Sequence, residues 1–231
     1  MSAATLAGLL LIAVPIAFNV AFGMLAARFD YPDVLRRPTA EVLAAFDAGG
    51  TRLVLTWWAF ALTAVAMVPL VVLLSGAIGD ADPTLLALAT VTGVLAALVQ
   101  FLGLVRWPFL VPYLAREAAD PAASAARREA VDVTFQAFNR YLGVAVGEHL
   151  GYALTGAWTL LTGVALTQTA AVPGWVGLPA LAIGPLLIVC ALEFVGDHEP
   201  RGWRVAERLT PPVYVAWSLW LVVTGVALLA G

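Results

Sequence analysis

Three ionisable side chains lie inside apolar stretches of this chain, where a charge has to be compensated. Glu148 and His149 are neighbours within FQAFNRYLGVAVGEHLGYALTGAWTLLTGVALT (135–167), and Arg106 opens RWPFLVPYLA (106–115). One ion at the centre of a membrane helix costs about 2.5 to 3.5 kcal/mol on insertion scales. We therefore expect these residues to be paired with one another, or to serve a proton or a ligand.

Arg106 and Glu148 allow both interpretations. Each falls about two turns or less from the same predicted membrane surface, on consecutive spans of opposite direction, so the two side chains can meet. A planar guanidinium suits a carboxylate, and buried charges are usually paired, which favours a structural clamp. In the functional interpretation Arg106 holds an anionic group while Glu148 or His149 exchanges a proton.

Metal and cofactor chemistry is not indicated by the residue spacing. Neighbours on an α-helix point about 100° apart, so Glu148 and His149 do not easily serve one ion. A zinc-protease helix needs histidines at i and i+4, and Ala145 and Ala153 stand four positions from His149. The other histidine, His198, is in a polar loop, which disfavours a haem. We predict no metal and no cofactor.

The polar residues of the apolar stretches are concentrated at one predicted depth. The outer half has threonines and tryptophans but no comparable ionisable group, whereas a through-channel needs polar lining at both depths. This pattern predicts a polar cup open towards the cytoplasm under an apolar outer lid. The residues predicted to bind a ligand or a proton are Asn19, Gln100, Arg106, Trp107, Asn139, Glu148, His149, Tyr152 and Glu193.

The elements that position these residues are predicted to be membrane helices. Apolar residues make up 62% of the 231 and charged residues 12%, and the mean hydropathy is +0.93. These values predict an all-α polytopic helix bundle, a single integral-membrane domain over residues 1–231. A segment of about 20 apolar residues crosses a bilayer, which gives six transmembrane helices. The predicted spans are 5–27, 53–75, 84–112, 141–166, 174–194 and 213–230.

The orientation of the protein in the membrane is predicted from its arginines alone, since the chain has no lysine. The loops 28–52, 116–140 and 195–212 contain four, four and three of the twelve arginines. The positive-inside rule then places these loops in the cytoplasm and both the N-terminus and the C-terminus outside. Val42, Leu43 and Phe46 share one face before Gly49 and Gly50, which predicts an amphipathic interfacial helix in the first of these cytoplasmic loops, and a second is expected near 125–140.

Partners are predicted from the same charges. The arginine pairs and clusters at the cytoplasmic surface suit anionic lipid head groups, although acidic neighbours such as Asp132 near Arg128 also fit a salt-bridged, solvated face. The net charge of −3 and the lack of a basic domain exclude nucleic acid as a partner. No residue pattern indicates an oligomeric state.

Small residues recur every four positions in the span that contains Glu148. Gly143, Gly147 and Gly151 form a smooth stripe, which lets a neighbouring helix backbone approach closely. We therefore expect this span to lie in the middle of a bundle.

The pairing of RWPFLVPYLA with FQAFNRYLGVAVGEHLGYALTGAWTLL resembles a family of small multi-span bacterial membrane proteins catalogued as a domain of unknown function. The resemblance covers most of the chain and implies a location in the bacterial plasma membrane. It does not indicate which reaction, if any, the protein catalyses. It singles out Arg106, Trp107, Tyr141, Gly147, Glu148, His149, Gly151 and Tyr152.

Three functions remain open from the sequence. The first is a binder or carrier of a small anionic or amphipathic molecule, coupled to a proton through Glu148 and His149. The second is a membrane-embedded enzyme acting on a lipid or isoprenoid, with one of these two residues as general base. The third is a structural or regulatory subunit of a membrane complex, in which the polar cluster locks helices together.

Overall fold

Helices account for nearly all of the chain. The structure, a computed structural model, describes residues 2–199 and 201–231, and these ranges contain no strand. The predicted all-α architecture is confirmed. Short 3-10 turns lie at Asp33–Arg36, Gly174–Gly177 and Gly196–His198. The longer elements are α1 (Ala3–Phe29), α2 (Thr39–Ala77), α3 (Pro83–Phe109), α4 (Val111–Ala119), α5 (Ala125–Phe138), a π-helical segment (Asn139–Leu150), α6 (Gly151–Gln168), α7 (Ala180–Cys190) and α8 (Arg204–Ala230).

Five helical stretches of the described residues are long and apolar enough to cross a membrane: Ala3–Phe29, Thr39–Ala77, Pro83–Ala119, Ala125–Gln168 and Arg204–Ala230. A sixth apolar stretch, Gly174–Cys190, is shorter. Its helix α7 ends at Cys190, before the predicted limit of 194, and the chain continues in turns. The protein is a multi-pass membrane protein.

Prolines and a glycine divide two of the long helical stretches. Gly50 has φ 54° and ψ −157°, a backbone that favours glycine, and it separates an amphipathic first part of α2 from the apolar second part. Val42, Leu43 and Phe46, which were predicted to share one face, are all buried in that first part. At Leu110 the chain passes from α3 to α4, because Pro108 and Pro112 lack the backbone N–H that a continuous helix needs.

The helices form a closed ring. In ring order, α1 packs on α2, α2 on α3, α3 on α6 together with the π-helical segment, α6 on α7, α7 on α8, and α8 on α1. Several helices of such a ring contribute side chains to the same interior. The fold therefore brings side chains from α1, α2, α3, α6 and α8 towards one central space.

Glycine contacts fix three of the crossings in this ring. A Cβ added at Gly184 would lie 2.6 Å from the carbonyl oxygen of Gly156, and one at Gly103 would lie 2.6 Å from the Cα of Gly147. Such approaches are possible only for glycine, and close backbone packing is how membrane helices associate. The three pairs are Gly8 with Gly225, Gly103 with Gly147, and Gly156 with Gly184.

Candidate functional site

The predicted site is built on an unusual helical segment. Residues Asn139–Leu150 are π-helical, whereas the flanking helices α5 and α6 are α-helical. π-Helical turns are rare and often occur at functional sites. Gly143, Gly147 and Gly151 face α3 across this segment, next to Arg106, Gly103 and Gln100 respectively. The predicted close approach of a neighbouring helix to the glycine stripe is therefore confirmed.

Arg106 is buried between α3 and the π-helical segment, with 8% of its surface exposed. Its Nη1 donates to the carbonyl oxygen of Gly103, and its Nη2 donates to Asn139 Oδ1 at 2.8 Å. Its Cζ lies 5.4 Å from the ring centroid of Trp107, within cation–π range. A Cβ at Gly143 would meet Arg106 Nη2 at 2.5 Å, so the guanidinium occupies the space that this glycine leaves.

The predicted ion pair between Arg106 and Glu148 is wrong as a direct contact. The salt bridges within 4.0 Å among the described residues all lie elsewhere. Arg106 instead has two neutral oxygen acceptors, and arginine's long, forked side chain can reach the amide of Asn139 one helical segment away. Its charge still acts on Glu148 through space, as does that of Glu193.

Glu148 is half-buried. Groups from several elements influence it electrostatically: Arg106 on α3, Tyr31 before α2, Tyr214 on α8 and Glu193 after α7. Within residues 2–199 and 201–231, its carboxylate has no hydrogen-bond donor and no ion-pair partner among the side chains. A carboxylate in such a place keeps the capacity to bind a proton or a positively charged group.

Three tyrosines that interact electrostatically with Glu148 make aromatic contacts with one another or with α1. The rings of Tyr152 and Tyr214 lie 5.2 Å apart at an angle of 65°, so they form two walls of a corner. Phe18 of α1 stacks on Tyr214 at 6.1 Å, and Phe22 contacts Tyr31 edge-on at 5.6 Å. The three tyrosines are half-buried. We call Glu148, Tyr31, Tyr152 and Tyr214 the inner cup.

A small cavity, open on one side, lies between α1, α2, α3 and α8. Its interior volume is about 20 Å³, which is enough for about one water molecule. Phe18 and Trp217 line this cavity, and each ring also contacts Tyr214 of the inner cup. Gln100 is one of the two polar side chains of the lining, and its Nε2 donates to Thr155 Oγ1 at 2.8 Å. The lining residues are Val14, Pro15, Phe18, Thr63, Ala64, Met67, Gln100, Leu104 and Trp217.

One family model covers nearly the whole chain. It is described as a domain of unknown function, DUF4386, and it matches residues 6–225. The chain belongs to this family. The predicted resemblance to a membrane-protein family of unknown function is thereby confirmed. No curated protein matches the chain, and no solved structure does.

Two other predicted site residues of this DUF4386 protein connect helices. His149 Nδ1 lies 2.7 Å from the carbonyl oxygen of Ala191, just past the end of α7. A carbonyl only accepts, so Nδ1 carries the hydrogen and the ring fixes α7 to the π-helical segment. Asn19 Nδ2 donates to Pro15 O at 2.7 Å and to Ser218 Oγ at 3.0 Å, which joins α1 to α8.

Trp107 and Glu193 lie beside the cup rather than in it. Trp107 is fully buried and stacks on Trp57 with ring centroids 4.4 Å apart, in an aromatic cluster that also contains Phe29 and Phe46. It has no surface to offer a ligand, so its role is in packing. Glu193 is half-buried in the turn after α7, where its backbone oxygen accepts from Trp203 N at 2.7 Å.

Two cup residues were missed by the sequence reasoning. Tyr214 was not among the predicted site residues, although its position at the start of the last predicted span was a usable signal. Tyr31 stands in a polar loop, and nothing in its sequence neighbours indicates that it folds back onto Trp57, with ring centroids 5.0 Å apart. Among residues 2–199 and 201–231, no group of three His, Cys, Asp or Glu side chains could hold a metal ion.

The surface arginines divide into two groups. Four make ion pairs: Arg36 with Asp33 and Glu207, Arg37 with Asp30, Arg127 with Glu117, and Arg140 with Glu199. The second group is exposed and makes no ion pair with another residue that the structure describes. Its members are Arg28, Arg52, Arg116, Arg128, Arg201, Arg204 and Arg208.

Proposed function

We propose that this protein binds a small amphipathic molecule in the inner cup and at the open side of the adjoining cavity. The observation that carries the proposal is a half-buried carboxylate, Glu148, that has no hydrogen bond or ion pair to a described side chain, in the same ring of helices as a small, mostly apolar cavity. Ligand sites are typically lined by apolar side chains, with a few polar groups that fix orientation. A polar head beside Glu148 would leave the apolar part of the molecule against the lining of the cavity.

The contacts of Arg106 favour the amphipathic ligand over an anionic one. Two of its guanidinium nitrogens already donate to Gly103 and Asn139, and Trp107 covers one face. The hydrogen bond to Asn139 joins α3 to the π-helical segment, and both hydrogen bonds offset part of the cost of burying the charge. Arg106 therefore serves as an anchor in this proposal, and the ligand's head meets Glu148.

Proton coupling belongs to the same proposal. Glu148 is the group that would exchange a proton as the ligand enters or leaves. The charged and titratable groups that face it are Arg106, Tyr31, Tyr152, Tyr214 and Glu193. His149 Nδ1 donates to the carbonyl oxygen of Ala191 and joins the π-helical segment to the end of α7.

The location we propose is the bacterial plasma membrane, with the three arginine-rich loops in the cytoplasm. The exposed arginines without ion pairs support this orientation, because anionic lipid head groups of the inner leaflet would supply their partners. The cup then opens near the cytoplasmic side, and its ligand would enter from the cytoplasm or from the inner leaflet.

Native mass spectrometry of the detergent-purified protein tests the proposal. The wild-type protein is expected to retain a small-molecule or lipid adduct, and Ala64→Phe should lose it, since Ala64 lines the cavity and a phenyl ring would fill it. The control is Val65→Phe, which adds the same ring on the exposed side of α2. Both variants are compared with wild type by thermal unfolding. An adduct that persists in Ala64→Phe at wild-type stability, or no adduct in any protein, contradicts the proposal.

A further inference from the structure

The small cavity between α1, α2, α3 and α8 has the size of one water molecule. Its interior volume is about 20 Å³, and a buried water needs about 10 to 15 Å³. The interior is therefore too small for an organic molecule. A wholly apolar cavity stays dry, whereas ordered water is found where about two to four polar groups can bind it. The hydrogen-bonding groups of the lining decide which case applies here.

Gln100 offers the cavity a hydrogen-bond acceptor. Its Nε2 donates to Thr155 Oγ1 at 2.8 Å, and its Oε1 accepts no hydrogen bond from a donor within residues 2–199 and 201–231. Thr155 is fully buried on α6, and a Cβ at Gly151 would lie 3.0 Å from Gln100 Cγ, so the side chain is held by both residues. An amide oxygen inside the bundle that lacks a donor is costly, which favours the binding of a donor.

Thr63 is the second polar residue of the lining, and it can also accept. Its hydroxyl hydrogen is used, because Oγ1 donates to Phe60 O at 2.7 Å. The hydroxyl oxygen keeps lone pairs that can accept a further hydrogen bond. The lining therefore offers one acceptor on α2 and one on α3. A water molecule has two O–H groups and the matching volume, so it is complementary to this pair of acceptors.

We propose that this cavity binds one ordered water molecule, which donates one hydrogen to Gln100 Oε1 and the other to Thr63 Oγ1. The water joins α3 to α2, and Gln100 joins α3 to α6 through Thr155. Three consecutive helices of the ring are then connected by one chain of hydrogen bonds inside a largely apolar core. Neither Glu148 nor the amphipathic ligand takes part, so the inference does not rest on the proposed function.

Radiolytic footprinting tests the inference, because Met67 lines the cavity and is only 4% exposed. Short X-ray pulses generate hydroxyl radicals from water, and these radicals oxidise a buried thioether where a water molecule lies beside it. The protein is irradiated in detergent, and mass spectrometry follows the oxidation of each methionine. Met24, half-buried near the end of α1, is the reference for the radical dose.

We expect Met67 of the wild-type protein to be oxidised despite its burial. Leu70→Met provides the comparison, because Leu70 is fully buried on the same helix and does not line this cavity. The thioether introduced by Leu70→Met should be oxidised about tenfold more slowly than Met67, since oxidation of methionine depends on access of the oxidant. The wild-type measurement needs no variant, so it remains valid whatever a substitution does to folding.

A pair of threonine variants then locates the water. Thr63→Val keeps nearly the shape of the side chain and removes the acceptor, so entry of radicals from bulk solvent is unchanged. It should slow the oxidation of Met67 at least about twofold, because the water is left with fewer than the usual two to four polar partners. Thr56→Val is the control: Thr56 is also buried on α2 and donates to a carbonyl of its own helix, Arg52 O at 2.9 Å, but it does not line the cavity.

The outcomes decide between a bound water and a dry cavity. Oxidation of Met67 that Thr63→Val slows and Thr56→Val leaves unchanged supports the water. A wild-type Met67 that resists oxidation while Met24 reacts overturns the inference. Equal rates for Met67 in Thr63→Val and Thr56→Val overturn it as well, because the radicals would then come from bulk solvent.

Discussion

At the scale of single residues, the packing around Arg106 determines what its neighbours can be. The guanidinium fills the space beside Gly143, and a Cβ there would lie 2.5 Å from Nη2 and 2.9 Å from Cζ. The guanidinium cannot move away without giving up its bonds to Asn139 and Gly103. Gly143 is therefore required by Arg106 rather than by the backbone of its own segment.

We expect Gly143→Ala to lower the free energy of unfolding by about 1 to 3 kcal/mol, the usual cost of adding a methyl group to a filled interior. The measurement is thermal unfolding in detergent, followed by tryptophan fluorescence. Gly23→Ala is the matched control in α1, because no atom lies within 4 Å of the added Cβ. If the two variants unfold at the same temperature, Arg106 does not occupy the position described.

The sequence predicted the depth of Arg106 but not its partner. Depth depends only on counting residues from a polar loop, and Arg106 is indeed buried. The choice between Glu148 and Asn139 depends on the rotation of one helix against the other. Because Asn139–Leu150 is π-helical, successive side chains are not separated by the 100° rotation of an α-helix. A glycine-rich sequence is compatible with either helix type, so the sequence does not reveal the difference. The contact of Gly103 with Gly147 sets how the two helices are rotated against each other, and this tertiary contact cannot be derived from residue types alone.

At the scale of elements, two turns on the predicted outer face are joined by one carboxylate. Asp80 follows α2, and its Oδ2 accepts from Ala170 N at 2.7 Å while its Oδ1 accepts from the hydroxyl of Thr169. Gln168 Oε1 also accepts from Asp82 N at 3.2 Å. The turn between α2 and α3 is thereby fixed to the end of α6, which is the neighbour of α3 in the ring.

This connection should weaken in acid. The hydrogen bonds from Ala170 and Thr169 lower the pKa of Asp80 below its usual value. A carboxylate whose pKa is lower in the folded state than in the unfolded state, where it is about 3.9, stabilises the fold above that pH. The stabilisation is lost as the pH falls through the lower, folded-state pKa. The relevant window therefore lies below about pH 4.

We expect the unfolding temperature of the wild-type protein to fall more between pH 6 and pH 3 than that of Asp80→Asn, which has no charge to lose. Asp47→Asn, at an exposed position without a hydrogen bond to a described residue, should keep the wild-type pH dependence. Other carboxylates titrate equally in all three proteins, so the difference isolates Asp80. Identical pH profiles for wild type and Asp80→Asn would show that this bond contributes nothing to stability.

The sequence predicted the presence of the membrane helices better than the residues at which they begin and end. Long apolar runs between polar loops predicted the membrane helices, because a run of that length has few alternatives in a bilayer. The sixth apolar stretch is shorter than predicted, since α7 ends at Cys190 and the chain turns so that Trp203 N can donate to Glu193 O. The ring order of the helices follows from glycine crossings whose partners lie far apart in sequence, and no local pattern pairs them.

At the scale of the whole molecule, the distribution of arginines predicts which end of the ring faces the cytoplasm, and labelling of single cysteines tests that orientation. In a Cys190→Ala background, Ala170→Cys lies in the exposed turn after α6 and Ala122→Cys in the exposed turn before α5. A membrane-impermeant thiol reagent should label Ala170→Cys in intact cells and label Ala122→Cys only after the cells are opened. The same preparation opened with detergent is the control for reactivity of each thiol. The reverse labelling pattern would contradict this orientation and would place the inner cup on the outer side of the membrane. The ligand would then come from the external medium or the outer leaflet. The exposed arginines would also no longer face the anionic lipids of the inner leaflet.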